Sequence, residues 1–285
     1  MLNYEKTKKP PFLAKGFHYL CLAIALLCVV YIWKWDIQNK ESEKVLASID
    51  NAIVEQEEQT IIIGTSLDTG ESQIISVPSD MVDENNESTG TESAQSVSIT
   101  TFQIDFQKLK NENSDTVGVI KLNGTNIRYP VVQASNNEYY INHSFDKSSN
   151  NAGWIFVNAA NRLDGTDKNI TVFGHNRKDD SMFGTLKNAL TKDWYSNVVN
   201  RYILWQDING ERVYEIFSVY QIKSEEYYMQ NDFSSDSEYM TFLNTMKKRS
   251  VHQYETTLNP TDQILTLSTC STGDNRTVLH AKLMK

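Results

Sequence analysis

The run Phe17–Trp33 contains no formally charged residue, and it limits what this chain can fold into more than any other feature. As a helix rising about 1.5 Å per residue it spans roughly 26 Å, enough for the hydrocarbon core of a bilayer. Aromatic residues gather at both of its ends, where an interfacial belt would lie. Lys6, Lys8, Lys9 and Lys15 precede it, so the positive-inside rule puts the N-terminus in the cytoplasm and the rest of the chain outside. Lys34-Trp35-Asp36 comes next with no small-residue cleavage site, which favours an uncleaved anchor over a signal peptide. A buried core helix is the remaining alternative. The run therefore predicts a cytoplasmic tail over 1–16, a transmembrane signal-anchor helix over 17–35, and an extracellular remainder on a single-pass membrane protein.

Charge divides the rest of the chain. The net charge is −9, with six lysines against Glu5 and Asp36 in residues 1–40, and thirteen acidic residues against Lys44 alone in residues 41–100. Residues 101–285 are left nearly neutral, so the acidity belongs to the middle segment, and no region is basic enough for nucleic acid. Val45, Leu46, Ile49, Ile53 and Val54 have a helical spacing that extends the anchor as a short stalk helix. From about Glu55 to Thr100 polar and acidic residues dominate, with Ile61–Ile63 and Ile74–Val77 as isolated apolar patches. Residues 36–100 are expected to be an acidic, largely disordered stalk that holds the body off the membrane.

From Thr101 the pattern is that of a compact domain, 101–285. Strands are predicted at 117–122 and 127–132 around Asn-Gly-Thr-Asn, at 154–157 and 170–173, and at 201–205 and 213–222 around Asp-Ile-Asn-Gly-Glu. Helices are predicted at 102–109, 181–190 and 235–248, the last with Tyr239, Phe242, Leu243 and Met246 on one face, and a helical turn at 136–141. About eight short strands with few helices argue for a mostly antiparallel β-barrel rather than alternating βαβ units.

The chemistry gathers near the C-terminus. Ile264–Cys270 is a β-favouring run that ends on a thiol; Gly273, Asp274 and Asn275 supply turn chemistry; Arg276 opens a second apolar run. Taken alone, Cys270 reads as a small buried hydrophobe, the commonest fate of a single cysteine. It is, however, the one thiol of the body, since Cys21 and Cys28 lie in the anchor. His175 likewise ends an apolar strand, in Ile-Thr-Val-Phe-Gly-His-Asn-Arg, with Gly174 expected to permit an unusual backbone turn. A thiol needs a base or cation to become a thiolate, and an acyl transfer needs positive charge where the oxyanion develops. His175 and Arg276 are the candidates. His143 reads as a surface-loop residue, and His252 and His280 as structural ones. No His, Cys or carboxylate pair has metal-ligand spacing, and no Gly-x-Ser-x-Gly elbow occurs. No metal or cofactor is expected.

Thr266-Leu267-Ser268-Thr269-Cys270 with Arg276 resembles the active-site signature of sortases, the Gram-positive transpeptidases. Phe173-Gly174-His175-Asn176 followed by Ser181-Met182-Phe183-Gly184 is similar to their histidine loop. The Leu-Ser-Thr-Cys wording, Tyr214–Tyr220 and the helix at 235–248 are most similar to class B, over about 102–283, with a shorter Cys-to-Arg spacing than in many class B members. The resemblance implies a closed sortase-type β-barrel and a two-step acyl transfer. Cys270 would attack a threonine carbonyl in a C-terminal sorting motif of a surface protein, commonly of Asn-Pro-x-Thr type in class B. An amine of a cell-wall precursor, or a pilin lysine, would resolve the thioester. It further implies His175 as general acid and base, Arg276 as holder of substrate backbone and oxyanion, the Ser271 backbone N–H as a second oxyanion donor, and substrate contacts at Asn137, Ile141 and Tyr228. A cysteine peptidase transferring to water and a non-catalytic surface binding module are the rival functions.

Overall fold

A computed structural model describes residues 12–50, 52–54, 60–65, 72–76, 97–223, 225–270 and 275–284. The chain divides into two compact units, Met1–Lys44 and Val45–Lys285. In the first, the described residues are helical. They belong to helix α1, Phe12–Asp50, whose residues Gly16–Ala47 form a candidate membrane span by length and composition. Leu20, Leu26, Val29 and Ile32 on it are exposed, which is costly in water and natural against lipid. The helix persists to Asp50, as the spacing of Val45, Leu46 and Ile49 predicts.

The second unit departs from expectation at its start. Part of the segment expected to be a disordered stalk is ordered. Strand β1 (Ile53–Val54) pairs with β5 (Gln103–Ile104), and β2 (Thr60–Thr65) lies between β3 (Ser72–Ser76) and β4 (Val97–Thr100). The apolar patches are the cause. Ile63 on β2 and Ile99 on β4 are buried, as are Ile49, Ala52, Ile53 and Val97, and all six join the main core. Residues 77–96, with five acidic residues, lie outside the described residues. A chain beginning at Thr101 is therefore expected to keep the barrel but to melt several degrees below one beginning at Val45. Each buried Ile contributes about 2 kcal/mol of burial, partly offset by ordering entropy. Equal melting temperatures would mean that residues 45–100 add nothing to the fold.

The body is a closed eight-stranded barrel. Its strands are β6 (Thr116–Leu122), β7 (Arg128–Val132), β8 (Phe156–Val157), β9 (Asn169–His175), β10 (Tyr202–Asp207), β11 (Gly210–Lys223), β12 (Ile264–Cys270) and β13 (Asn275–Leu283). They close in the order β10-β11-β13-β12-β9-β8-β7-β6. Six of the contacts are antiparallel, and β7–β8 and β9–β12 are parallel. Val119, Val131, Val172, Leu204, Leu265, Leu267 and Leu279 are fully enclosed in the core.

Short helices cover the barrel. Helix α2 (Phe106–Glu112) starts later than the expected 102–109, where Asp105 caps it by accepting from the Lys108 N–H. Helix α3 spans Lys192–Ser196, and 3₁₀ turns occupy 139–141, 184–190, 198–201 and 227–229. Helix α4 (Asp236–Arg249) is capped by Ser235 and buries Tyr239, Phe242, Leu243 and Met246 in a second apolar cluster with Phe217, Tyr220, Tyr228 and Val278.

Candidate active site

Parallel pairing sets the site. Strands β9 and β12 run side by side in register from Asn169↔Ile264 to His175↔Cys270, so their last residues are ladder partners. Neighbouring strands lie about 4.8 Å apart, which brings the backbones of His175 and Cys270 together on one rim. Strand β13 returns antiparallel beside β12, pairing Val278 with Ser268. Two residues further along each strand stand Arg276 and Cys270. Beyond the Ser268 pair a side chain takes over the ladder: the Thr277 N–H donates to Thr269 Oγ1 at 2.9 Å. Ser271 lies outside the described residues.

His175 is held from several sides. One nitrogen, Nε2, is 2.6 Å from the Ile141 carbonyl oxygen, which fixes the ring's orientation. That carbonyl ends the 3₁₀ turn Tyr139–Ile141, whose entry is shaped by Asn136 Oδ1 accepting from the Glu138 and Tyr139 N–H groups. The loop after His175 folds back at once. The Phe183 N–H donates to the His175 carbonyl, and Asn176 bridges Met182. Inside the loop Arg177 Nη2 sits 2.6 Å from Asp179 Oδ2, and Asp179 Oδ1 accepts from both the N–H and the hydroxyl of Ser181. Burial alone would raise the Asp179 carboxyl, but Arg177 and Ser181 outweigh it and lower it to about 2.

Gly174 serves the site differently from expectation. It stays in extended β9 with no left-handed φ, and its lack of a side chain lets β9 approach its neighbours. A Cβ there would stand 2.4 Å from Ile155 Cδ1 and 2.8 Å from Phe183 Cγ. The glycine beside the site with a left-handed backbone is Gly153, at φ +61, where a side chain would be strained. A Cβ on it would meet the Ile141 and Tyr140 carbonyl oxygens at 2.6 Å and His175 Cδ2 at 2.8 Å. Gly153→Ala is therefore expected to dislodge His175 from the Ile141 carbonyl and cut turnover at least about tenfold, because misplacement of about 1 Å costs that much or more. Steady-state kinetics on the variant check it; unchanged turnover would show that the imidazole tolerates displacement.

Arg276 is half-buried, and its Nη1 donates to Tyr228 Oη at 3.0 Å. The same hydroxyl lies 2.8 Å from Ser268 Oγ. Tyr228 is fully enclosed, so the direct substrate contact expected of it is not open to its ring; its hydroxyl reaches Arg276 instead. Asn137 is exposed, and its amide is occupied locally, donating to Asn158 Oδ1 at 3.0 Å and accepting from the Ala159 N–H at 2.7 Å. Ile141 is exposed at the edge of the site, beside His175. Five of the six described candidates are thus tied around one rim: His175 to Cys270 and Ile141, and Arg276, on the strand beside Cys270, to Tyr228. Asn137 belongs to the segment that carries Ile141.

The other histidines lie apart from this group. His143 stacks on Tyr139 and His252 on Tyr195, at ring separations of 4.1 and 4.4 Å. His280 is fully buried. Sequence reading missed Gly153, the Ile141 carbonyl and the Tyr228 hydroxyl as supports of the site. Only the Asn-Ala-Gly-Trp turn around Gly153 carried a local signal.

With that geometry in view, known proteins give it a family. A sortase domain model matches residues 120–284. The chain is 33% identical over 184 residues to sortase B of Staphylococcus aureus, covering 63% of this chain and 75% of that protein. It is 34% identical over 184 residues to sortase B of Listeria monocytogenes, covering 63% and 73%. Among solved structures, a Staphylococcus aureus sortase B–substrate complex matches at a TM-score of 0.60 and 33% identity, covering 63% of this chain and 84% of that one. Clostridium perfringens sortase B matches at 0.60 and 35%, covering 64% and 100%. The chain belongs to the sortase family, whose members are cysteine transpeptidases, and within it to class B.

Proposed function

We propose that this class B transpeptidase is anchored in the membrane by residues 17–35, with its catalytic body outside the cell, and that it joins surface proteins to an amine of a cell-wall precursor. Cys270, as thiolate, attacks the threonine carbonyl carbon of a C-terminal sorting motif, and the carbonyl electrons move onto oxygen. Arg276 and the Ser271 backbone N–H stabilise that oxyanion. As the oxyanion collapses, the amide C–N bond breaks, His175 gives its proton to the leaving nitrogen, and a thioester remains. The acceptor amine then attacks the thioester, His175 takes its proton, and Cys270 leaves as thiolate. Asn137 and Ile141 flank the substrate peptide.

The observation that carries this reading is the parallel register that ends β9 and β12 on the partnered residues His175 and Cys270. An antiparallel pair would set the C-terminal ends of two neighbouring strands at opposite rims. A pilin lysine is the alternative acceptor, and water is the acceptor in a peptidase. Full-length protein in detergent, given a fluorescence-quenched Asn-Pro-x-Thr peptide with and without a glycine-based amine, tests the reaction. Transfer product that rises with amine supports transpeptidation, whereas cleavage indifferent to amine makes the chain a peptidase. Protease added to intact protoplasts tests the orientation: removal of the body with a short protected fragment is expected, and a fully protected chain would reverse it.

A further inference from the structure

Beneath the rim lies a run of polar side chains that no catalytic step uses. The Tyr227 hydroxyl donates to Tyr220 Oη at 3.2 Å, and Tyr220 Oη is 3.0 Å from His280 Nε2. His280 Nδ1 is 2.8 Å from Thr266 Oγ1, which donates to Asn169 Oδ1 at 2.7 Å. Asn169 Nδ2 then donates to the Tyr228 and Gln230 carbonyls, both at 2.9 Å. The run leaves the 227–230 turn at Tyr227 and returns to it at Tyr228, after crossing β11, β13, β12 and β9. Asn169, Thr266, Ser268 and His280 are all 0% exposed, so an unmade bond in this circuit has no water to replace it.

The proton positions are set by the bonds. Thr266 spends its hydrogen on Asn169, so it accepts from His280, which puts the imidazole proton on Nδ1 and leaves Nε2 to accept from the Tyr220 hydroxyl. Nε2 is a stronger acceptor than Met246 Sδ, which lies 3.3 Å from the same oxygen. Burial lowers His280 to about 3, so the ring is neutral at working pH, as this pattern requires. Three of the strands crossed end or begin at the site residues. Thr266 and Ser268 are the alternate positions leading up to Cys270, His280 stands four residues after Arg276, and Asn169 opens the strand that ends at His175.

We propose that this circuit is a positioning device for Arg276: Asn169, Thr266 and His280 fix the 227–230 turn so that Tyr228, with Ser268, holds the guanidinium at the rim. The proposal rests on the reading of Arg276 as the oxyanion donor. Tyr228, Thr266 and His280 are positioning residues that act through Arg276. One Arg276 nitrogen is bound to a hydroxyl with little freedom, because its ring is enclosed and its backbone is tied to Asn169. Such a group acts on the transition state, where the oxyanion forms, and hardly on ground-state binding.

The test is a double-mutant cycle on full-length protein in detergent with the quenched Asn-Pro-x-Thr peptide. Tyr228→Phe keeps the enclosed ring and deletes only the hydroxyl. It is expected to lower kcat about ten- to a hundredfold with KM within about twofold, while iodoacetamide labels Cys270 at the wild-type rate. In an Arg276→Ala background the same change is expected to add less than about twofold. Thr266→Val, which cuts the circuit remotely, should lower kcat in the same sense, and Thr266→Ser should restore it. If Tyr228→Phe costs the same factor in both backgrounds, Tyr228 does not act through Arg276 and the proposal falls while the role of Arg276 stands. If Arg276→Ala by itself is near normal, the reading of Arg276 falls and takes the device with it. Should Thr266→Val fail to fold, Ser268→Ala replaces it, and an equal loss in kcat is the supporting result; unchanged kcat overturns the proposal.

Discussion

Cys270→Ala is expected to abolish both peptide cleavage and transfer to an amine, with loss on the order of 10⁴–10⁶ in rate, the scale seen when a covalent nucleophile is removed from a catalytic set. The reason is stoichiometric. The thioester is the only link between the two half-reactions, and the two other cysteines, Cys21 and Cys28, lie on α1 in the other compact unit. Neither can stand in. The barrel should survive, because the β9–β12 ladder is made by backbone groups along seven partnered positions and does not depend on one terminal side chain. Mass spectrometry of the wild-type protein incubated with peptide alone should show an acyl adduct on Cys270, and the variant should show none. A variant that still cleaves at the wild-type rate would end the thiol mechanism. A wild-type chain that neither forms the adduct nor reacts with iodoacetamide would instead favour a binding module.

Why the three principal candidates could be read from sequence, while their arrangement could not, is a matter of range. Each of His175, Cys270 and Arg276 marks a point where an apolar β-favouring run meets polar turn residues, and that contrast is local. The adjacency of His175 and Cys270 is not. It comes from a parallel ladder between segments about a hundred residues apart, and strand propensity says nothing about partner or direction. A mostly antiparallel barrel was the correct general expectation; the parallel pair that builds the site is the exception within it. The 3₁₀ turn at 139–141 was legible as a helical turn, yet the use of its last carbonyl to hold an imidazole was not, because a carbonyl carries no residue identity.

The same limit explains the two places where expectation and structure part. Ile61–Ile63 and Ile74–Val77 are too short and too isolated in acidic sequence to signal a sheet. They become one only when β2 pairs with β3 and β4 and Ile63 and Ile99 join the main core. Tyr228 is the converse. The resemblance implies a substrate contact at Tyr228, but the turn buries Tyr228 in the cluster that holds α4, leaving its hydroxyl to address Arg276. Amphipathic side chains divide in this way, with the apolar body in the core and the polar tip at work.

Arg276→Ala is expected to cost about 10²–10³ in kcat with a small change in KM, the loss that accompanies removal of one oxyanion donor. Arg276→Lys separates charge from geometry. Both side chains are cationic, but guanidinium offers five N–H donors in a planar fork, whereas ammonium is a compact point charge on a flexible stem. Arg276 donates Nη1 to Tyr228, and the planar fork gives its other N–H groups a fixed direction relative to that bond. A lysine that reached Tyr228 would offer its remaining donors without fixed direction. Lysine should therefore behave nearly like alanine, impaired by more than about tenfold, if aim is what matters. If charge alone matters, lysine should recover most of the wild-type rate, and the hydroxyl of Tyr228 would then have nothing to aim. Parallel measurement of kcat and KM for wild type, Arg276→Lys and Arg276→Ala on one peptide, with iodoacetamide labelling of Cys270 as the control for an intact site, decides between the two.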